Sequence, residues 1–193
     1  MGIGIIDNIC KNDKADKIAL IGFMGSGKST LGALLAKRLN FNLVDTDARI
    51  VTSAKQSISE IFKIHGEAYF RTLESNCLHE QKRIKKIVLA CGGGLPCNPQ
   101  NRELLKLCFL VVWINAPFDV CCKRILRLGV NDTSRPLAML DNVEIFEKLY
   151  NERSKIYQEI ANYTINISNQ ETPCAVAGEI LNVLHPYISD IPK

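Results

Sequence analysis

The chain has 193 residues, 47% of them hydrophobic and 23% charged, and carries a formal net charge of +4. This composition excludes collagen, coiled coils and wholesale disorder, and the length suits one domain of ordinary size. No apolar run approaches the roughly 18 residues that a membrane span requires, and the positive charge is too small to indicate nucleic-acid binding by itself. We therefore expect a globular protein that has neither a membrane nor a nucleic acid as a partner.

Segments rich in β-forming residues alternate with helical segments along the chain. Strands are predicted at residues 17–21, 42–45, 87–91, 108–115 and 163–167. Helices are predicted at residues 28–39, 57–64, 66–83, from 99, 117–128, 143–160 and from 173. The alternation predicts an α/β fold of three layers, in which helices cover both faces of a five-stranded parallel sheet. Ligands of such folds bind at the carboxyl ends of the strands.

The eight cysteines include no C-x-x-C pair, and their density is below that of a disulfide scaffold. Residues 1–16 have neither the apolar stretch of a secretory signal nor the arginines of a transit peptide. We therefore expect reduced thiols in a cytoplasmic protein. Residues 1–16 are interpreted as an N-terminal extension that precedes a single domain, residues 17–193.

A phosphate-binding motif follows the first predicted strand. Residues 22–29 read Gly-Phe-Met-Gly-Ser-Gly-Lys-Ser and match G-x-x-x-x-G-K-[ST]. In this motif backbone N–H groups surround phosphate oxygens at the positive end of a helix, the lysine contacts the β- and γ-phosphates, and the hydroxyl can bind Mg²⁺. The sequence therefore predicts a nucleoside triphosphate site formed by Gly25, Ser26, Gly27, Lys28, Ser29 and Thr30. The alternative is a glycine-rich turn with no ligand, and the motif alone does not separate switches, motors and kinases.

Further short motifs narrow the class of protein. They are Asp45-Thr46-Asp47, Phe70-Arg71-Thr72-Leu73-Glu74, Gly92-Gly93-Gly94, Arg135-Pro136-Leu137 and Arg153-Ser154-Lys155-Ile156-Tyr157. With these motifs in this order and spacing, residues 17–184 resemble the shikimate kinase family, part of the nucleoside-monophosphate-kinase-like P-loop group. The resemblance implies a P-loop kinase fold and transfer of the γ-phosphate of ATP to the 3-hydroxyl of shikimate, a step toward chorismate and aromatic amino acids. It also implies Mg²⁺ as the cofactor.

The resemblance assigns the acceptor site to a small helical region, about residues 46–83, and to residues beyond it. Arg71 and Arg153 would bind the shikimate carboxylate, and Asp47 would hold the acceptor hydroxyls. The triplet Gly92, Gly93 and Gly94 would line the substrate, with Gly93 offering its backbone. An arginine fork matches the two oxygens of a carboxylate, and an aspartate can orient a hydroxyl and accept its proton.

The resemblance assigns the nucleotide and metal contacts to other residues. Asp45 would join Ser29 near Mg²⁺, and Arg135 would lie in a lid over about residues 129–140. Because the transition state of phosphoryl transfer is loose, charge neutralisation and positioning supply most of the rate. Asp47, Lys28 and Arg135 are therefore the predicted catalytic residues. Pro173 is retained in the adenine loop, but Ser168 and Asn169 depart from the family pattern, so the adenine contacts stay open, as does the role of Arg127.

Several of these residues also have a purely structural interpretation. Asp47 could do no more than cap a helix that begins near Ala48, and Asp45 could simply end its strand in a turn. Arg71 and Glu74 could form a surface ion pair, although we favour Glu74 as the partner that orients Arg71. Arg153 could lie on a solvated helix face, and the glycine triplet could be a flexible end of a strand.

Two rival functions remain at the level of sequence. One is a P-loop kinase for another small hydroxy acid such as gluconate, because two arginines can hold any carboxylate. The other is a nucleotide-binding regulatory module without transfer activity. Nothing in the sequence requires a second subunit, and we expect a monomer.

Overall fold

The computed structural model describes residues 16–127, 143–168 and 171–188. Its five strands are β1 (Lys17–Ile21), β2 (Asn42–Asp45), β3 (Ile87–Ala90), β4 (Leu110–Asn115) and β5 (Tyr163–Asn166). The strands form one parallel sheet in the order β2-β3-β1-β4-β5. The predicted five-stranded parallel sheet is therefore confirmed. The predicted lid and Arg135 lie outside the described residues.

Seven α-helices occur within the described ranges. They are α1 (Lys28–Leu39), α2 (Thr46–Ala54), α3 (Ile58–Gln81), α4 (Pro99–Cys108), α5 (Phe118–Arg127), α6 (Val143–Ile160) and α7 (Pro173–Leu184). A short 3₁₀ turn, Leu95–Cys97, follows β3. None of these helices is long and apolar enough to cross a bilayer.

The helix boundaries follow from local capping chemistry. Ser57 and Glu60 form the capping box that begins α3, and Asn98 and Thr172 accept backbone hydrogen bonds at the starts of α4 and α7. Gly66, with φ of 80°, interrupts α3 at the point where the sequence predicts two separate helices. The strand predicted over residues 108–115 begins later than expected, because Phe109 N–H still bonds to Leu105 O and ends α4.

Helices cover both faces of the sheet. Gly32 in α1 lies against Leu20 in β1. Trp113 in β4 packs its ring against that of Tyr157 in α6, and Trp113 pairs in register with Ile21. Because neighbouring residues of a strand point to opposite faces, Leu20 and Ile21 place α1 and α6 on opposite sides. This arrangement is the three-layer α/β fold expected from the sequence.

Two separate apolar clusters hold the described residues together. The larger cluster surrounds the sheet and includes all of the completely buried residues of β1 and β3. The smaller cluster lies between α2 and α3 and consists of Ile50, Ile58, Ile61, Phe70 and Cys77. It therefore supports the region that carries Asp47 and Arg71.

Candidate functional site

A cavity of about 1080 Å³ opens where β1, β2 and β3 end. This is the edge at which parallel α/β sheets bind ligands. Most of the predicted site residues line it, namely Gly25, Gly27, Lys28, Ser29, Thr30, Asp45, Asp47, Arg71, Gly93, Gly94 and Arg153. The fold thus brings the phosphate-binding motif and the predicted acceptor residues to one continuous wall.

The phosphate-binding loop has the backbone that its glycines allow. Gly25 and Gly27 have φ of 77° and 102°, and a Cβ on Gly25 would come within 2.7 Å of Cys121 O. A side chain at Gly25 is therefore excluded both by conformation and by space. Gly27 precedes the first turn of α1, whose N–H groups can bind phosphate oxygens.

Lys28 and Ser26 are buried at the base of this loop. Lys28 Nζ donates to Phe23 O at 2.8 Å and lies 3.4 Å from Ser26 Oγ, and Ser26 is completely buried. Ser26 is not part of the cavity wall formed by the described residues. Its hydroxyl thus lies inside the loop, while Lys28 is held at the cavity surface.

Arg124 is a site residue that sequence reasoning missed. Its Nη1 donates to Ser26 O at 3.0 Å and to Gly25 O at 3.4 Å, and the side chain lines the cavity together with Arg127. The partners of Arg124 are backbone carbonyls, which leave no residue-specific signal. The available sequence signal was the series of basic residues in the helix after β4.

Asp45 makes contacts that define both its own role and that of Asp47. Asp45 Oδ1 accepts hydrogen bonds from the N–H groups of Asp47 and Ala48, at 3.1 and 3.2 Å, and Asp45 is the N-cap of α2. Asp45 Oδ2 accepts from Ser29 Oγ at 2.5 Å. The alternative in which Asp47 caps this helix is therefore wrong, since the cap is Asp45.

Asp47 lies in the first turn of α2, beside the glycine triplet. A Cβ on Gly92 would collide with Asp47 Oδ1 and would come within 2.9 Å of Glu74 Oε1. A side chain at this position would therefore displace the Asp47 and Glu74 carboxyl groups. Gly92 itself does not belong to the described cavity wall, whereas Asp47 and Glu74 do.

Arg71 is fixed by two carboxylates of its own helix. Its Nη1 donates to Glu74 Oε2 at 2.6 Å and its Nη2 donates to Glu67 Oε1 at 2.8 Å. The Glu74 side chain is only 2% exposed, so the pair is not a surface ion pair. Burial raises the pKa of Glu74 to about 7, Arg71 opposes this shift and the charge of Asp47 adds to it.

Arg153 comes from α6 and lies beside Gly93 of the triplet. It is buried, its guanidinium carbon lies 6.0 Å from the centre of the Phe23 ring, and its Nη1 would lie 3.5 Å from a Cβ on Gly93. The Nε of Arg153 is buried and has no hydrogen-bond partner within the described chain. The alternative in which Arg153 lies on a solvated helix face is therefore wrong. Its guanidinium group is a positive charge at the cavity wall.

Two further residues hold the triplet, and neither was assigned a role from the sequence. Thr46 Oγ1 accepts from Gly92 N–H at 2.7 Å, and Tyr157 OH donates to Gly93 O at 2.6 Å. Both residues are completely buried. The available signal for Tyr157 was its spacing of one helical turn from Arg153.

The remaining sequence expectations concern cysteines and the adenine loop. Cys91 is buried beside the cavity, and burial raises the pKa of its thiol above the usual range. The cysteines of the described residues are all free, and these residues contain no cluster of three or more His, Cys, Asp or Glu able to hold a metal. Pro173 is the exposed first residue of α7 and is not among the residues that line the cavity.

The fold and the phosphate-binding loop together define a P-loop kinase. The family model for shikimate kinase matches residues 24–185. The shikimate kinase of Microcystis aeruginosa is 38% identical over 174 residues, which cover 90% of this chain and 88% of that protein. The solved structure of shikimate kinase from Acinetobacter baumannii in complex with shikimate is 34% identical, with a TM-score of 0.82 over 92% of this chain and 97% of that one. The chain belongs to the shikimate kinase family.

A more remote structural neighbour bears on the rival substrate. A gluconokinase from Sinorhizobium meliloti superposes with a TM-score of 0.52 at 13% identity. At that identity the likeness extends to the fold alone. It gives no support to gluconate as the acceptor of this chain.

Proposed function

We propose that this protein transfers the γ-phosphate of ATP to the 3-hydroxyl of shikimate, giving shikimate 3-phosphate on the route to aromatic amino acids. The observation that carries the proposal is that one cavity is lined by Lys28 and Ser29 and also by Asp47, Arg71 and Arg153. A nucleotide-binding protein without an acceptor has no need for two arginines and a carboxylate at this wall. Membership of the family supplies the identity of the acceptor.

The donor side of the cavity suits a triphosphate. The N–H groups at the start of α1 and the Lys28 ammonium provide positive charge where the β- and γ-phosphates would lie. Lys28 is held by Phe23 O, so its charge is already positioned before the nucleotide binds. Such preorganisation lowers the barrier of a reaction whose transition state is loose.

Ser29 and Asp45 fit a magnesium ion by the chemistry of their oxygen atoms. A hydroxyl and a carboxylate are hard ligands, and Mg²⁺ is bound in kinases through one or two such groups together with phosphates and water. The contact between Ser29 Oγ and Asp45 Oδ2 shows that both groups reach the same point. When bound there, the ion would neutralise charge on the β- and γ-phosphate oxygens.

The acceptor side of the cavity suits a small hydroxy acid. Arg71 and Arg153 project from different helices, so paired bonds to a carboxylate would fix the orientation of the ring as well as its charge. Glu74 holds the Arg71 fork in place from a buried position. Asp47 would orient the hydroxyl and accept its proton as the phosphoryl group arrives.

The predicted roles of Arg135 and of a lid over about residues 129–140 remain proposals. Closure of this segment would keep water from the γ-phosphate. Limited proteolysis with and without ATP and shikimate tests it, with slower cleavage of the segment expected when both ligands are present. Equal cleavage rates would contradict closure.

We further propose that the enzyme works as a cytoplasmic monomer, since the predicted phosphate-binding and acceptor-binding residues already meet at one cavity within a single chain. Light scattering during size-exclusion chromatography tests the oligomeric state. A mass matching one chain is expected, and a stable dimer would contradict the proposal.

The proposed activity is tested by ADP release with purified protein, ATP and Mg²⁺. The acceptors are shikimate, gluconate and none, and ³¹P NMR of the product identifies the phosphorylated hydroxyl. We expect ADP release that depends on shikimate and a 3-phosphate product. Stimulation by gluconate alone would instead show a kinase for another acid, and nucleotide binding without any turnover would show a regulatory module.

A further inference from the structure

We propose that Thr46 and Tyr157 are positioning residues that hold the Gly92-Gly93-Gly94 backbone in the conformation that binds the acceptor acid. This inference rests on the proposed function. The triplet has no side chains of its own, so its backbone can be fixed only by hydrogen bonds from elsewhere. Thr46 and Tyr157 supply such bonds from two different helices, α2 and α6.

The two bonds arise from different layers of the fold. Thr46 directly follows β2, the neighbour of β3, and its Oγ1 accepts from Gly92 N–H at 2.7 Å. Tyr157 lies in α6 on a face of the sheet, and its hydroxyl donates to Gly93 O at 2.6 Å. Both side chains are completely buried, so water does not compete for these bonds.

Some backbone polar groups of the triplet are bonded within the protein, and others can bind a ligand. Gly92 N–H and Gly93 O are taken by Thr46 and Tyr157, while Gly92 O accepts from Leu95 N–H at 3.1 Å. In the described part of the chain, the N–H groups of Gly93 and Gly94 donate to no protein acceptor. Both glycines line the cavity, so these donors are available to an acceptor oxygen.

Each positioning residue is a close neighbour of a predicted acceptor-binding residue. Thr46 lies between Asp45 and Asp47 in the chain, and Tyr157 lies one helical turn after Arg153. A shift of the triplet would therefore move its free N–H groups relative to Asp47 and Arg153 together. This couples the triplet that follows β3 to Asp47 and Arg153.

The hydroxyl of Tyr157 is separable from the packing role of its ring. The ring packs against Trp113, with ring centres 6.1 Å apart, and this contact does not involve the hydroxyl. Burial raises the pKa of Tyr157 above the usual range, with the Arg153 charge opposing, so the hydroxyl remains a donor at working pH. Replacement by phenylalanine removes the bond to Gly93 and the contact of the hydroxyl with Arg153, and it retains the ring. The order of the Gly93 and Gly94 amides, measured below without substrate, reports the effect on the triplet itself.

The chain contains a matched control for this replacement. Tyr150 also lies in α6, and its hydroxyl also donates to a carbonyl beyond the end of a strand, Ala116 O after β4, at 3.0 Å. Neither Tyr150 nor Ala116 lines the cavity. Tyr150→Phe therefore loses an equivalent bond away from the triplet.

The kinetic test compares Tyr157→Phe with Tyr150→Phe in the assay described above. We expect Tyr157→Phe to raise the shikimate KM about tenfold, with kcat and the ATP KM within about twofold of wild type, because the loss falls on acceptor binding. Tyr150→Phe should leave the shikimate KM, kcat and the ATP KM within about twofold of wild type. Unchanged shikimate KM in Tyr157→Phe, or an equal rise in Tyr150→Phe, would overturn the inference.

A second pair of variants tests the bond between Thr46 and Gly92. Thr46→Val removes the acceptor of Gly92 N–H, whereas Thr46→Ser keeps a hydroxyl. We expect a raised shikimate KM in Thr46→Val and its restoration in Thr46→Ser. Equal constants for the two variants would contradict the assignment of Thr46.

A measurement without substrate separates this inference from the proposed function. Amide ¹⁵N relaxation of the free protein reports the order of Gly93 and Gly94 on the ps–ns timescale. Tyr157→Phe should lower the order parameters of both amides, and Tyr150→Phe should not. Wild-type protein that fails to phosphorylate shikimate would overturn the proposed function, whereas unchanged order parameters in Tyr157→Phe would overturn the inference alone.

Discussion

Asp45 binds Ser29 across the end of the sheet, with Ser29 Oγ 2.5 Å from Asp45 Oδ2, while Asp45 Oδ1 caps α2. One carboxylate thus links the phosphate-binding loop to the helix that carries Asp47. The capping bonds need only an oxygen, whereas a metal site benefits from the negative charge. The two roles can therefore be separated by substitution.

We expect Asp45→Asn to retain most of the stability and to raise the Mg²⁺ concentration needed for half-maximal rate. The asparagine oxygen can still cap α2, but the charge is lost. Asp45→Ala should lose the cap as well, at about 1 kcal/mol of unfolding free energy. Magnesium titration of the initial rate and urea unfolding check both statements, and an unaltered Mg²⁺ requirement in Asp45→Asn would exclude a metal role.

We expect Asp47→Asn to lower kcat by about 10²-fold or more, because the acceptor hydroxyl loses the group that accepts its proton. The affinity for ATP should be nearly unchanged, since Lys28 and the N–H groups at the start of α1, which would bind the phosphates, are retained. Steady-state kinetics and direct titration with nucleotide measure the two quantities. A comparable loss of ATP binding would contradict the assigned role.

We expect Arg153→Ala to weaken acceptor binding by about 2 kcal/mol or more, the scale for leaving one member of a charged pair without its partner. Arg71→Ala should weaken it similarly and should also destabilise the fold, because Glu74 is left buried without its cation. Arg71→Ala combined with Glu74→Gln should recover stability without recovering the shikimate KM. A normal KM in either single variant would place the carboxylate elsewhere.

Glu74 should make stability depend on pH in a specific window. Its pKa of about 7 lies above the ordinary 4.5, so between these values the folded protein binds more protons at Glu74 than the unfolded chain. Stability therefore falls as pH rises from about 4.5 to about 7. Relative to Glu74→Gln, the wild type should lose up to about 3 kcal/mol of unfolding free energy over this range. Urea unfolding at a series of pH values measures the difference, and parallel curves would show an ordinary pKa.

The sheet and the phosphate-binding loop could be predicted from sequence because their signals are local. Apolar runs predict the strands, and the glycines and lysine of residues 22–29 stand together in the chain. The start of α2 could not be predicted with the same certainty. Asp45 and Asp47 are equally good capping residues, and the choice depends on where the chain turns after β2.

The residues that sequence reasoning missed act on distant backbone groups. Arg124 binds Ser26 O, 98 residues earlier in the chain, and Tyr157 binds Gly93 O, 64 residues earlier. A carbonyl oxygen is present in every residue, so it gives no pattern that a sequence can reveal. The burial of Arg153 and Glu74 was likewise outside the reach of helical periodicity, because each sits in a helix rich in charge.

The small apolar cluster between α2 and α3 is distinct from the main core, to which α3 contributes Leu78. Elements with few apolar contacts to the rest of a protein open more readily as units of their own. The packing of α2 against α3 can therefore adjust while the larger cluster is retained, with Asp45 keeping the start of α2 bonded to Ser29. Affinity for the sugar-like acid can thus be tuned during evolution through Ile50, Ile61 and Phe70, none of which belongs to the apolar cluster around the sheet.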